Sequence, residues 1–474
     1  TSDSFGEQNL RSFLNLLVVL TQEYDTALMN PPYGARRRMP DKVQRYVNHN
    51  YTYSKEYYIN FFERCERMSK TKGRVGMIVP RSFMFIQSFR DFREDFISGQ
   101  GAFDFLAEFG LDVLDNAMVR TAGTVVRVGT DGNDEGTFIR LDDVEKQNKE
   151  SSFVYSSFIG SEENGVQRVY RRYLSEFRMI PGAPLSYWVP CNLREIYASN
   201  QVLGEKGANK DQSGIGAVRQ GIATGNDGRF VREFWTSSDE HQWAPFPKGG
   251  EDTWLLPRVT KSLLWDNNGA EIRRQPGGNG TPNEHLYFNQ GVTYNRVKTS
   301  GRRFGYMHEN SIFGDKGPGV FSEGNEWNIL SYANSTLFTY LMLCRTPERM
   351  WEVGVVGEIP WHASLEQPSL REAAQEAVGA MISKRQFTFT SPHYVGPILL
   401  GMVGKTETLP QYEHPHRDLR QRVDTISPGQ SKDLSSPIND LAIEAARYQT
   451  QVDSKLQTSS NAVDTAVFDS FNIN

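Results

Sequence analysis

The chain has 474 residues, enough for two or three domains, and 38% hydrophobic with 12% aromatic content is sufficient for ordinary globular cores. A formal net charge of -5 excludes a generically basic nucleic-acid binder, so contact with DNA would need a local basic face on an acidic molecule. Cys65, Cys191 and Cys344 are far apart and odd in number, which excludes a disulfide framework or a Cys-based zinc site and fits a reducing cytoplasm.

Residues 8–20 carry Leu10, Phe13, Leu14, Leu17 and Val18 at helical spacing. No run reaches the about 18 apolar residues of a membrane span, and no signal peptide is visible. The next stretch, Thr26-Ala27-Leu28-Met29-Asn30-Pro31-Pro32-Tyr33-Gly34, organises the reading of the rest. Its apolar part predicts a buried strand, which the two prolines end. Proline fixes φ and removes an N–H donor, so Pro31 and Pro32 make a stiff corner with a free carbonyl on show. Asn30 supplies an amide just before the corner and Tyr33 an aromatic face just after it. A planar group with an exocyclic amine, such as adenine, can stack on Tyr33. Its amino hydrogens can point at the Asn30 side-chain oxygen and the Pro31 carbonyl. Two such acceptors draw the nitrogen lone pair out of conjugation and favour its attack on an electrophile. Positioning and preorganised dipoles then carry the catalysis, without a strong base.

This corner resembles the NPPY motif of adenine-N6 DNA methyltransferases, which use S-adenosylmethionine (SAM). The same motif occurs in methyltransferases that act on a glutamine side-chain amide, so the four residues alone do not choose DNA. The resemblance implies catalytic roles for Asn30, Pro31, Pro32 and Tyr33, and places Asn30 and Pro31 on the methyl side of a SAM site. Arg36-Arg37-Arg38 follows, either a solvated turn or a phosphate contact near the target nucleotide.

Residues 54–69 predict an amphipathic helix with Tyr58, Phe61 or Phe62, Cys65 and Met68 on one face. After Gly73, Arg74-Val75-Gly76-Met77-Ile78-Val79-Pro80 predicts the next buried strand. Ser82 can cap a helix whose Phe85, Phe89, Phe92 and Phe96 form a packing stripe. Phe103 to Phe109 is a further strand. Thr124 to Val128 and Thr137 to Leu141 predict a final hairpin about Asp131-Gly132-Asn133-Asp134-Glu135-Gly136. This order fits the second half of a doubly wound α/β sheet. It is also the order in which SAM-dependent methyltransferases run after their NPPY strand, and Lys72 to Met84 is similar to that family's next strand and helix entry. The family's cofactor site needs a Gly-rich turn earlier in the sheet. Before Asn30, Gly6 stands alone, and Gly99-Gln100-Gly101 follows a helix, so it reads as a helix stop. The chain starts at Thr1 and reaches its corner within about thirty residues, so the front half of the domain is expected to be elsewhere or missing.

Lys146 to Ser152 reads as a polar connector, and Arg168, Arg171 and Arg172 as a solvated basic face. Ile180 to Trp188 is Pro/Gly-rich and predicts a hinge. A second domain follows, with Arg219-Gln220-Gly221-Ile222-Ala223-Thr224-Gly225-Asn226-Asp227-Gly228-Arg229-Phe230-Val231-Arg232 as its most informative stretch. Gly221 and Gly225 allow a tight loop that a protein or nucleic-acid backbone can approach. Thr224 and Asn226 offer short polar groups for phosphates or base edges, and Arg219, Arg229 and Arg232 add positive charge. The bland alternative is a structural glycine loop between strands. Gly221 to Phe230 is similar to the loop opening the target-recognition domain of adenine methyltransferases fused to specificity domains, which implies DNA contacts from Gly221, Thr224, Gly225, Asn226, Arg229, Phe230 and Arg232. Lys248-Gly249-Gly250, Trp265 to Arg273, Gly291-Val292-Thr293-Tyr294, Gly301 to Gly305, Ile312-Phe313 and Gly317-Pro318-Gly319 resemble, in order, segments of the PglX-type methyltransferases of BREX phage-exclusion systems. One departure is Lys55-Glu56-Tyr57-Tyr58, where that family carries an aspartate or asparagine ahead of its helix aromatic.

Trp327 to Met350 predicts a helix and Trp351 to Trp361 a strand. His414-Pro415-His416 lacks companion ligands and reads as a surface turn, so no metal is expected. Ser427 to Ser436 is a linker, and Leu441, Ala445 and Tyr448 mark a closing helix. The expected organisation is a partial methyltransferase domain over 1–150, a connector over 151–190, a mixed α+β target-recognition domain over 191–420, and a linker with a C-terminal helix over 421–474. The resemblance implies a site-specific, SAM-dependent DNA adenine-N6 methyltransferase of a cytoplasmic phage-defence system, incomplete in this chain. Its partners would be double-stranded DNA, an upstream polypeptide completing the domain and other defence proteins. The alternatives are a non-enzymatic DNA-binding specificity subunit or decayed fragment, and a protein-glutamine methyltransferase.

Overall fold

Apolar runs at Val75–Val79, Phe103–Ala107 and Val125–Val128 become neighbouring strands that share a core, whereas the strand expected to be buried over 26–29 forms but leaves Leu28 77% exposed. The computed structural model describes residues 2–34, 38–95, 101–114, 119–129, 134–204, 214–238, 240–250, 253–298, 301–394 and 438–473. They fall into two compact units, Thr1–Ala198 with Cys344–Thr346, and Ser199–Leu343 with Pro347–Asn474.

In the first unit, helix α1 (Ser2–Thr21) leads into β1 (Tyr24–Met29). Helices α2 (Asp41–Asn50) and α3 (Tyr57–Arg67) precede β2 (Ser69–Pro80). Strands β3 (Gly101–Gly110), β4 (Thr121–Val128), β5 (Glu135–Arg140) and β6 (Val169–Tyr173) complete a mixed sheet in the order β1-β2-β4-β3-β5-β6. β1 runs parallel to β2, and β3 parallel to β5, while β4 lies antiparallel between β2 and β3. β1, β2, β3 and β5 therefore point the same way, and their C-terminal ends share one edge of the sheet. In α/β folds that edge is where ligands bind. The i, i+4, i+7 spacing of α3 buries Tyr58, Phe62 and Cys65 against Val75, Met77 and Val79 of β2.

Three expectations change here. The final hairpin does not form. β3 lies between β4 and β5 and pairs with both, so its backbone groups are bonded along both edges. The Ser82 helix gives way to two short 3₁₀ turns, Arg81–Met84 and Gln87–Phe89, and Ser82 makes no capping bond. The cause is Arg93, whose buried guanidinium takes the Phe83 and Ile86 carbonyls (2.8 and 2.9 Å) that a regular helix would use for its own amides. The region read as connector and hinge joins the first unit. β6 completes the sheet, and Ala183, Leu185 and Tyr187 enter the core. Arg168 is buried and paired with Asp143 and Glu163 rather than solvated.

The second unit holds a four-stranded antiparallel sheet in the order Ala217–Arg219, Gly319–Phe321, Gly291–Tyr294, Phe304–Met307. A three-stranded sheet, Val231–Glu233, Lys261–Leu264 and Trp243–Pro245, packs through Phe230, Phe246, Leu263, Trp265 and Phe313. Residues 327–350 supply the helices Glu326–Ala333 and Thr336–Arg345. The expected strand over 351–361 is instead one helical turn, Val353–Gly357, closed by the Val355 and Val356 amides on the Glu352 carbonyl, followed by a two-residue strand Pro360–Trp361. The closing helix, Ile438–Ser470, runs along Pro368–Arg385, joined by Lys384–Asp453 and Gln386–Tyr448 (both 2.7 Å).

Phe96, Gly99, Gln100, the turn at 131–133, His414-Pro415-His416 and the linker at 427–436 lie outside the described residues. Among the described residues, no helix is long and apolar enough to cross a membrane.

Arg93 also donates to the Gly182 and Ala183 carbonyls, so one guanidinium holds four carbonyls. Burial, with the charge of Arg345 beside it, pushes that guanidinium down to about 9. Arg93→Met is expected to strand these carbonyls and cost about 3 kcal/mol or more, measured by urea unfolding of the chain.

Candidate functional site

The corner sits where the sheet geometry puts it. The parallel register pairs Met29 with Met77, so the chain leaving β1 passes beside the end of β2. Pro31 turns inward and is buried, while Asn30 and Pro32 stay exposed. Tyr33 comes back against β2, and its phenol donates to the Ile78 carbonyl at 3.0 Å. Its ring meets the edge of Tyr58, with centroids 6.4 Å apart and planes at 76°. Tyr58 is fully buried, and its oxygen lies 3.1 Å from Ser82 Oγ. Burial pushes both phenols up, so each stays protonated at neutral pH.

The far side of the corner is fixed by backbone. The Tyr57 amide, opening α3, donates to the Gly34 carbonyl at 3.1 Å. A Cβ on Gly34 would come 2.9 Å from the Tyr57 ring, so a larger residue here would have to displace that ring. Tyr33 is thus held at its hydroxyl, at its ring edge and through Gly34. The remaining polar groups are left open. Among the described residues, neither the Asn30 side chain nor the Pro31 carbonyl has a hydrogen-bond partner. A stack platform and two unpartnered acceptors therefore stand together at the C-terminal edge of the sheet.

The structure adds groups that the sequence reading passed over. Tyr58 carried a signal as a core residue of α3, but nothing in the sequence joined it to Tyr33 or Ser82. On the same edge, Arg81 forms a buried ion pair with Glu108, whose other oxygen accepts from Tyr187 at 2.7 Å. Burial pushes the Glu108 acid up, against the opposing pull of Arg81. Of the basic loop, Arg38 is exposed, whereas Arg36 and Arg37 lie outside the described residues. Among the described residues no group of three acidic, histidine or cysteine side chains could hold a metal.

In the second unit the glycine loop is largely occupied with its own fold. A Cβ on Gly221 would fall 1.9 Å from the Phe313 carbonyl oxygen. Gly225 has φ +70° and faces Gly277 and Gly278. Thr224 is buried and donates to Asp227 at 2.7 Å, and Phe230 is a core residue. Three residues face outward. The Asn226 side chain accepts from the Arg229 amide at 3.2 Å. Arg229 pairs with Glu271 at 2.6 Å. Exposed Arg232 donates to the Gly228 and Val231 carbonyls. Four stretches that are separate in sequence meet here. Residues 221–222 bond to 313–315, 223–225 touch 276–279, Lys248 pairs with Asp227, and Gly249 abuts Lys316. Gly221→Ala is expected to destabilise the second unit by about 2 kcal/mol or more through this backbone clash, read by urea unfolding.

Comparison with known proteins finds likenesses in sequence and in fold. A family model described as Eco57I restriction-modification methylase matches residues 3–110, which include α1, the corner and β2. The adenine-specific methyltransferase PglX of Lacticaseibacillus casei is 25% identical over 415 residues, covering 80% of this chain and 33% of that protein. The adenine-specific methyltransferase BrxX of Escherichia coli is 23% identical over 377 residues, covering 76% and 29%. The chain therefore spans about a third of the length of the curated relatives it matches. The DNA-bound structure of the type IIL restriction-modification enzyme MmeI superposes with a TM-score of 0.52 at 12% identity, covering 95% of this chain and 54% of MmeI, which is a likeness of fold. The chain is thus a relative of the PglX-type adenine-specific methyltransferases, matched over about a third of their length.

Proposed function

We propose that this chain supplies the acceptor side of a DNA adenine-N6 methyltransferase of a phage-defence system, together with its DNA-recognition unit. The observation that carries the reading is the pair of unpartnered acceptors, Asn30 and the Pro31 carbonyl, beside a pinned Tyr33. A target adenine leaves the base stack, at a cost of a few kcal/mol, and stacks on Tyr33. Its two amino hydrogens bond to Asn30 Oδ1 and the Pro31 carbonyl, which pyramidalises the nitrogen and frees its lone pair. Pro32 keeps the corner from relaxing. The surplus proton leaves to water after reaction, so no buried base is needed. SAM, when bound, supplies an electrophilic methyl group. Asn30 and Pro31 fit its methyl side only, and the remainder of that pocket is not legible in the described residues.

The second unit would hold the duplex in register. Arg229 and Arg232 are exposed and suit phosphates, and Asn226 suits a phosphate or base edge. Gly221, Thr224, Gly225 and Phe230 serve the frame that presents them. The three cysteines are free, which suits the reducing cytoplasm where the DNA substrate lies.

The test is methyl transfer from labelled SAM to mixed-sequence DNA by a SAM-competent protein containing this chain. Asn30→Ala is expected to lower the rate by about 10²-fold or more with folding unchanged, since a preorganised acceptor is lost. An unchanged rate sinks the assignment. DNA binding should weaken steeply with salt, and Arg232→Ala should reduce the log–log salt slope by about one.

A further inference from the structure

We propose that Lys248 and Lys316 clamp a phosphate of the DNA backbone, in the place that the Asp227 carboxylate holds while DNA is absent. This rests on the DNA-recognition reading above. It adds a contact from two stretches, Lys248-Gly249-Gly250 and the residues leading into Gly317-Pro318-Gly319, that carry no role there.

Three loops of the second unit meet at Asp227. The first is the recognition loop itself, where the Asp227 carboxylate accepts from the Thr224 hydroxyl at 2.7 Å and from the Lys248 ammonium. The second brings Lys248, followed by Gly249 and Gly250, both at φ +85°. The third brings Lys316, followed by Gly317. The second and third cross backbone to backbone. A Cβ on Gly249 would fall onto the Lys316 carbonyl, and one on Gly317 would come 2.5 Å from the Pro247 carbonyl oxygen. Both loops are fastened to the end of the strand Gly291–Tyr294. The Gly250 amide donates to Asn295 Oδ1 at 2.7 Å, and the Arg296 amide to the Lys316 carbonyl at 3.0 Å. The two lysines therefore start from backbone that has little room to move.

The charges at this crossing are not closed by the fold. Lys316 is exposed, and its side chain makes no hydrogen bond or ion pair among the described residues. Lys248 pairs with Asp227, whose side chain is 52% exposed, so the carboxylate lies open to a competing ligand. Burial works against the Asp227 charge, yet the bonds from Lys248 and Thr224 and the field of Lys316 hold its acid below the usual carboxylate range. A half-exposed pair of this kind adds little stability. What it displays is a ligand chemistry, two ammonium groups gathered about one oxyanion. A phosphodiester oxygen offers the same acceptor with a full negative charge. A nucleic-acid backbone is the fitting source, because Asn226, Arg229 and Arg232 stand exposed on the same loop as Asp227.

The experiment measures binding of the whole chain to a labelled mixed-sequence duplex by fluorescence anisotropy over a range of salt, with urea unfolding as the check that each variant folds. Lys248→Ala and Lys316→Ala are each expected to lower the log–log salt slope by about one, and to weaken binding roughly tenfold at about 0.1 M salt. Lys316→Arg should keep the slope. Asp227→Asn retains an acceptor for Thr224 and removes the competing charge, so it is expected to tighten binding by about threefold or more. An unchanged slope in either folded lysine variant overturns the clamp. So does weaker binding by Asp227→Asn, because that carboxylate would then belong to the DNA contact. Lys316, exposed and unbonded, carries the test where Lys248→Ala impairs folding. The unaltered chain separates this result from the wider reading. Steep salt dependence with unchanged slopes in the variants leaves DNA recognition standing without the clamp. Salt-independent binding, or none, removes both. Lowered slopes together with undiminished methyl transfer in Asn30→Ala leave the clamp standing and remove the assignment of the corner.

Discussion

Parallel pairing between Tyr24–Met29 and Ser69–Pro80 is the constraint on which the candidate site depends. It sets the height at which the chain leaves the sheet, and so brings Tyr33 within reach of the Ile78 carbonyl. The two prolines then leave the backbone no soft torsion at φ with which to drift away. The plane of the Tyr33 ring is fixed from three directions, at its hydroxyl, at its edge against Tyr58 and through Gly34. Asn30 and the Pro31 carbonyl, by contrast, have no hydrogen-bond partner among the described residues, and Asn30 is exposed to water. Rigidity and open valence are thus separated residue by residue.

The same edge of the sheet carries the buried charges. Arg81 follows β2 directly, and its pairing with Glu108 and the Glu108–Tyr187 bond tie the ends of β2 and β3 to the segment after Ile180. That segment looked like a hinge because it is rich in proline and glycine. Its role here is the opposite: Gly182 and Ala183 expose carbonyls to Arg93, and Tyr187 stacks on Phe138 with centroids 5.2 Å apart. Composition reports where regular structure stops, and does not report whether the irregular stretch is packed.

The local geometry of the candidate corner was legible in the sequence because it lies in consecutive residues. The Asn30–Tyr33 corner is four consecutive residues, and the strand before it is a plain apolar run. The amphipathic spacing of α3 resolved in favour of Phe62, which is buried, over the less buried Phe61. What was not legible is non-local. The Tyr33–Tyr58–Ser82 chain joins positions up to 49 residues apart in number, and no periodicity encodes it. The turns after Pro80 follow from one arginine well downstream competing for helix carbonyls. The expected hairpin failed because nearness in sequence was taken for pairing, whereas β3, earlier in the chain, inserts between the two strands. In the recognition loop, the glycines were read toward a ligand. Their missing side chains instead make room for Phe313 and Gly277.

The glycine contacts of that loop have a consequence for how such a surface can change over time. Gly221 against Phe313, Gly225 against Gly278 and Gly249 against Lys316 are backbone-to-backbone approaches, indifferent to the identity of the side chains presented between them. Asn226, Arg229 and Arg232 stand exposed on this frame, whose close backbone approaches are made by the glycines. Their exchange alters what is displayed and spares the support. A unit built in this way can vary what it displays by single substitutions on its surface, while the Asn30–Tyr33 corner in the other unit remains the same.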